Sequence, residues 1–87
     1  RATEAYENLA GAWLRLGDAP RAMSLLRTLQ EREPRNPRIA IRMATVEFAM
    51  ENPKAALEHL DQATRLDALD PEPIVAYEIA TMRAAAV

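Results

Sequence analysis

The stretch that decides the fold is Gly17-Asp18-Ala19-Pro20-Arg21-Ala22, which separates two runs of residues with helical spacing. Gly17 favours the left-handed conformation in which many helices end, because it has no Cβ. Asp18 can cap the next helix with its carboxylate, and Pro20 fits the first turn, where its missing N–H costs nothing. The stretch therefore predicts the turn of a helical hairpin.

A related stretch, Glu51–Ala56, occurs further along the chain, with Glu51 at the place of Gly17. The surrounding residues repeat at the same interval in size and role: Leu9 with Met43, Ala10 with Ala44, Asp18 with Asn52, Ala22 with Ala56 and Leu26 with Leu60. Self-similarity with a period of about 34 residues is the signature of a helical solenoid. Because Glu51 replaces Gly17, we expect the second turn to be looser and to depend on Asn52 and Pro53 for its stop.

Apolar residues at spacings of three and four, with caps and prolines between them, predict an all-α chain of five helices. We expect the helices at about 5–16, 19–33, 37–50, 53–66 and 74–85, with Thr3 as the first N-cap. The third unit is displaced by two residues in the loop 67–73. We interpret residues 1–87 as a single domain with repeats at 3–36 and 37–70 and a closing or partial-repeat helix at 73–87. Since the sequence starts at Arg1 without an initiator Met, we expect it to be an excerpt of a longer protein.

Charge and composition narrow the classes of partner. The chain has 11 basic and 13 acidic residues and a net charge of −2, so contact with nucleic-acid phosphates is not expected. No helix has a face rich in Lys and Arg, and no apolar run approaches the ~18 residues of a spanning helix, so membrane insertion is not expected either. With no Cys, thiolate metal sites and disulfides are excluded, but cytoplasm and periplasm are not distinguished. The bias towards Ala, Arg and Leu favours a bacterial origin.

The sequence resembles the tetratricopeptide repeat family. Residues 3–36 contain most of its signature: Tyr6, Leu9-Ala10, Trp13, Gly17-Asp18, Ala22, Leu26 and Pro34. Residues 37–70 match more loosely, since Glu47 replaces the aromatic residue that matches Trp13 and Ala68 stands where a proline is expected. The resemblance implies a right-handed α-solenoid of antiparallel helix pairs.

In proteins that resemble this chain, the first helix of each pair lines a concave face that holds an extended peptide or a partner helix. The resemblance therefore implies these partner-binding residues: Glu7, Gly11, Leu14, Arg38, Ile41, Arg42, Thr45, Phe48, Tyr77 and Thr81. Some family members bind the C-terminal carboxylate of heat-shock chaperones through Lys and Asn at the positions of Glu7 and Gly11. That partner is therefore disfavoured here, and one with apolar side chains and mixed charge fits better.

Two features of this face have more than one explanation. Gly11 lies in the middle of a predicted helix, where glycine lowers helix stability by ~1 kcal/mol relative to Ala. Its presence has two explanations: the close approach of a ligand or a neighbouring backbone, or sequence drift. Ile41, Phe48 and Tyr77 either form an exposed apolar strip or pack against neighbouring repeats.

No pattern in the sequence indicates catalysis. His59 is the only histidine and would need a nucleophile or an orienting carboxylate, but Glu58 and Asp61 point elsewhere on its helix. Metal-ligand spacings, phosphate-binding glycine loops and nucleophile elbows do not occur, so we expect no enzyme activity, cofactor or metal. The sequence favours a protein–protein interaction module. The alternative is an assembly scaffold that self-associates as a homodimer through its terminal helices.

Overall fold

The computed structural model describes residues 2–85, which form five helices and no strand. The helices are α1 (Ala2–Arg15), α2 (Ala19–Arg32), α3 (Pro37–Ala49), α4 (Pro53–Asp67) and α5 (Pro73–Ala85). The prediction of five helices is confirmed, and most ends fall within a residue of the expected position. Residues 1, 86 and 87, which the predicted domain includes, lie outside the described residues.

A proline lies at the start of each of the three middle helices, and a side-chain cap begins two of them. The Asp18 carboxylate accepts a hydrogen bond from the Arg21 N–H at 3.1 Å, and the Asn36 side chain accepts one from the Arg38 N–H at 3.0 Å. Asn52 holds the equivalent place before α4 without a side-chain hydrogen bond to the helix. Each of these helices has a proline in its first turn, where the backbone donor is not needed.

The start of α1 differs from the prediction. Thr3 lies inside the helix and is therefore not its N-cap. Its hydroxyl donates to the carboxylate of Glu33, just after the end of α2. This bond and one from the Asn36 side chain hold the pKa of Glu33 below its ordinary value of 4.5. Thr3 thus joins the start of α1 to the end of α2.

The turns after α1 and α3 have the same geometry. Gly17 has φ 85° and Glu51 has φ 59°, so both residues adopt the left-handed conformation. Two hydrogen bonds of the Schellman motif recur in each turn: Gly17 N–H to Leu14 O (3.0 Å) and Asp18 N–H to Trp13 O (2.8 Å), then Glu51 N–H to Phe48 O (3.0 Å) and Asn52 N–H to Glu47 O (2.9 Å). The expectation of a looser second turn is wrong, because Glu51 itself takes the conformation that glycine adopts more easily.

Helix α3 lies at the centre of the fold. Seven of its residues are buried, and they belong to the contacts with α1 and α2 on one side and with α4 and α5 on the other. The small residues expected where helices cross are all buried: Ala10, Ala22, Ala44 and Ala56. They let the backbones approach closely, and Leu26 and Leu60 fill the space between the crossings. Neighbouring helix pairs therefore complete each other's core.

Helix α1 buries little of its apolar surface. Leu9 is 46% exposed, and Ala10 is the only fully buried residue of α1. Met50, just after the end of α3, is also exposed. Helix α1 stays accessible to solvent because it lies at the end of the stack and packs only on α2 and α3.

The loop between α4 and α5 contains the two inserted residues. The buried Asp67 carboxylate accepts a hydrogen bond from the Glu72 N–H at 3.0 Å. The Glu72 carbonyl in turn accepts from the N–H groups of Val75 and Ala76, both at 3.1 Å. Glu72 and Pro73 therefore mark the start of α5.

Candidate binding groove between the first and third helices

A cavity of about 440 Å³ lies between α1 and α3 and opens to solvent. Its lining residues are Glu4, Glu7, Asn8, Ala10, Gly11, Leu14, Arg15, Leu26, Arg38, Arg42, Thr45 and Val46. We call this the α1–α3 groove. Six of the ten predicted partner-binding residues line it: Glu7, Gly11, Leu14, Arg38, Arg42 and Thr45. The structure therefore brings together most of the predicted site.

The groove combines an apolar base with a polar rim. Ala10, Leu26 and Val46 are buried core residues that reach its surface from three different helices. Leu14 is half-buried and packs against the same core cluster. Thr45 on α3 already donates its hydroxyl hydrogen bond to the Ile41 carbonyl at 3.1 Å. The core thus holds both walls in place, and the groove exists before any partner binds.

Gly11 lacks a side chain at the middle of the α1 side of the groove. A Cβ added there would meet only Nη1 of Arg15, at 3.5 Å, within 4 Å. No neighbouring backbone approaches this position, so close packing of helices does not explain the glycine. Approach of a ligand and sequence drift remain as the two explanations.

An ionic row crosses the face formed by α1, α3 and α5. Nε of Arg42 lies 3.7 Å from Oε1 of Glu7, and Nη1 of Arg42 lies 4.0 Å from Oε2 of Glu78. One guanidinium is therefore shared by two carboxylates, at distances too long for strong hydrogen bonds. Oε1 of Glu7 is buried and has no hydrogen-bond partner among the described residues.

Sequence reasoning missed three polar residues of this face, of which Arg15 lines the groove one turn after Gly11. Asn8 lines the groove, and Glu78 contributes to the ionic row. Both occupy the repeat position of Arg42, Asn8 in the unit before it and Glu78 in the unit after it. The repeat alignment itself was the signal that could have found these two.

Ile41 is a correction to the predicted site. Its side chain is 1% exposed and packs with Val75 and Ile79 of α5. Helix α5 covers this side of α3, so Ile41 belongs to the core and no partner can reach it without displacing α5. Phe48 is half-buried against the cluster of α3 and α4 residues and does not line the groove.

The two predicted residues on α5 lie apart from the groove. Tyr77 is 72% exposed, and Thr81 is also exposed and donates its hydroxyl to the Tyr77 carbonyl at 2.9 Å. Ile74, one turn before Tyr77, is 65% exposed. The strip of Ile41, Phe48 and Tyr77 is therefore not continuous, and α5 has an apolar surface of its own.

His59 has a carboxylate partner that the sequence did not indicate. Its Nε2 lies 3.5 Å from Oε2 of Glu47 on α3, and both side chains are largely buried. Glu47 and His59 occupy the repeat positions of Trp13 and Leu25, and those two residues pack against the first core cluster. The pair thus takes two positions that apolar residues hold in the first repeat.

The described residues include neither a spanning helix nor a metal-ligand cluster. Within residues 2–85, no helix has the length and hydropathy needed to cross a membrane. No group of three or more His, Cys, Asp or Glu side chains in that range is placed to hold a metal ion.

The helical pairs, their repeated turns and the groove between first helices define an α-solenoid of short helical repeats. A family model described as tetratricopeptide repeat matches residues 14–73, and the chain belongs to this family. The match contains α2, α3 and α4, whereas Glu7, Gly11 and all of α5 after Pro73 lie outside it. It therefore establishes the fold and leaves the binding residues to be tested. No curated protein matches the chain.

Proposed function

We propose that this chain is a protein-interaction module whose α1–α3 groove binds a peptide segment or a helix of a partner protein. Tetratricopeptide repeats generally mediate protein–protein interaction, and the family is typically non-enzymatic. The observation that supports this particular face is that six of the ten residues implied by the family resemblance line one groove.

The physical character of the groove also supports this proposal. Its walls are helices fixed by a common core, so little conformational entropy is lost when a ligand binds. Apolar groups at the base offer contact area, and the charged rim offers directional partners. A protein segment with alternating apolar and polar side chains matches such a surface better than a purely apolar ligand does.

The test is to fill the groove without disturbing the fold. Random displayed peptides are selected on the wild-type chain, and the affinity of the selected peptides is then measured on Gly11→Leu. We expect a loss of at least about tenfold, because the leucine side chain enters the groove at the open side of α1. Ser24→Leu adds the same side chain to an exposed position of α2 and should leave affinity unchanged. Peptides that bind Gly11→Leu as well as the wild type contradict the proposed site.

Self-association is the second candidate, and the exposed surface of α5 favours it. Among the residues of α5, only Val75 and Ile79 are buried, while Ile74 and Tyr77 are largely exposed. Exposed apolar surface of this kind marks many association sites. Light scattering over a concentration series should show a dimer that Tyr77→Ser disrupts and that Leu16→Ser, an exposed apolar residue near the α1–α2 turn, does not. A monomer at every concentration contradicts this second function.

A further inference from the structure

We infer that the protein segment bound in the α1–α3 groove presents a Lys or Arg side chain to the carboxylate of Glu7. This inference rests on the proposed function and specifies the chemistry of the partner at one position. It comes from three observations: a buried acceptor without a hydrogen-bond donor, a cation shared between two anions, and the absence of a side chain at Gly11.

Glu7 has an acceptor that the described residues leave unfilled. Its side chain is 11% exposed, and Oε1 is buried without a hydrogen bond. A buried carboxylate oxygen is stabilised only when a donor or a cation replaces the water it has lost. The oxygen also belongs to a residue that lines the groove, where a ligand can supply that donor.

Arg42 meets this need only in part, because it is a cation in ion-pair range of Glu7 but lies beyond hydrogen-bond distance. Its Nε stays 3.7 Å from Oε1 of Glu7, and its Nη1 is directed to Glu78 at 4.0 Å. Two carboxylates share one guanidinium, so the row has an excess of one negative charge. A second cation beside Glu7 would balance the row and leave Arg42 to Glu78.

A cationic side chain matches this position better than a backbone amide. Ammonium and guanidinium groups donate several hydrogen bonds and also neutralise charge, whereas an amide donates one bond and leaves the excess charge in place. This preference for a cation applies only at the position of Glu7, because two other cations, Arg15 and Arg38, also line the groove. We therefore expect a partner of mixed charge with one basic residue at a fixed place.

Gly11 provides the space for such a residue. It lies one turn after Glu7 on the same face of α1, and only the end of the flexible Arg15 side chain lies near it. Once the flexible Arg15 side chain moves aside, an aliphatic Lys or Arg stem can pass over Gly11 and place its head group at Glu7. The glycine and the unfilled carboxylate then have a single explanation.

The experiment uses the peptides selected on the wild-type chain that lose affinity on Gly11→Leu. We expect them to share one Lys or Arg, and replacement of that residue by Gln to lower affinity at least about tenfold. Glu7→Gln should cause a similar loss, and the two changes together should cost little more than either alone. Glu58→Gln removes the same charge from an exposed position of α4 and should have no effect.

The outcomes separate this inference from the proposed function. Groove-binding peptides that lack a shared basic residue, or that bind Glu7→Gln as well as the wild type, overturn the inference and leave the function standing. A selection that returns no peptide sensitive to Gly11→Leu overturns both. The change in the peptide leaves the folded chain untouched, so it decides the matter even where Glu7→Gln lowers stability.

Discussion

The turn between α3 and α4 places a glutamate, Glu51, in the left-handed region at φ 59°. A side chain with a Cβ is disfavoured there by about 1 kcal/mol, and glycine is not. We expect Glu51→Gly to raise the free energy of unfolding by about 1 kcal/mol in urea titrations. Glu51→Ala keeps the Cβ and serves as the control, with no comparable gain expected.

The same argument applies with the opposite sign at Gly17, where φ is 85° and no atom lies within 4 Å of an added Cβ. Gly17→Ala should therefore destabilise through backbone strain alone. Equal stability of Glu51→Gly and Glu51→Ala would contradict this account of the two turns.

Gly11 offers a test in which stability and binding move in opposite directions. A Cβ at this position has ordinary contact distances, so Gly11→Ala should raise the free energy of unfolding by about 1 kcal/mol through helix propensity. The same methyl group narrows the groove and should lower the affinity for the selected peptides. If Gly11→Ala stabilises the chain without affecting these peptides, the glycine reflects drift and not ligand approach.

Two elements, α3 and α4, are joined by the largely buried pair Glu47–His59. Replacing either residue by Leu leaves the polar side chain of the other buried and unpaired, which lowers the free energy of unfolding by about 1–3 kcal/mol. We expect the double replacement by Leu to lower the free energy of unfolding by less than the sum of the two single replacements, because apolar residues, Trp13 and Leu25, hold both equivalent positions in the first repeat.

A double-mutant cycle by urea unfolding measures this coupling. The exposed pair of Asp61 and Arg83 gives a reference, since pairs in solvent contribute about 0–1 kcal/mol. Additive effects of the two leucine substitutions would show that the pair contributes no coupling between the helices.

The contact between α1 and α2 through Thr3 and Glu33 predicts a pH dependence. The pKa of Glu33 is lowered in the folded state, so its ionised carboxylate stabilises the folded chain. This stabilisation is complete above the ordinary pKa of 4.5 and is lost as the pH falls through the folded-state pKa. Thr3→Val removes the main cause, so the pKa should rise towards 4.5 and stability should fall less steeply below that pH.

An NMR titration of the Glu33 carboxyl carbon measures this shift directly. Thr28→Val is the matched control, since the Thr28 hydroxyl donates to the Ser24 carbonyl on the exposed side of α2 and does not contact Glu33. An unchanged Glu33 pKa in Thr3→Val would contradict the assigned cause.

For the whole molecule, the parts that the sequence predicted are those set by local chemistry or by the repeat. Caps and prolines determine where helices begin, and the resemblance to tetratricopeptide repeats placed Gly11 and Thr45 on one face. Ile41 was misassigned because its burial depends on how α5 docks, which is a long-range choice. The orphaned Glu7 oxygen likewise depends on atomic distances that spacing does not determine.

The central claim is that the α1–α3 groove is where this tetratricopeptide repeat chain binds a protein segment. The most direct test is an NMR titration of the isotope-labelled chain with a peptide selected on the wild type. We predict that the backbone shifts concentrate on α1 and α3 around Gly11 and Thr45, and that they vanish in Gly11→Leu. Shifts centred on Ile74 and Tyr77 of α5, with the groove unchanged, would contradict the claim.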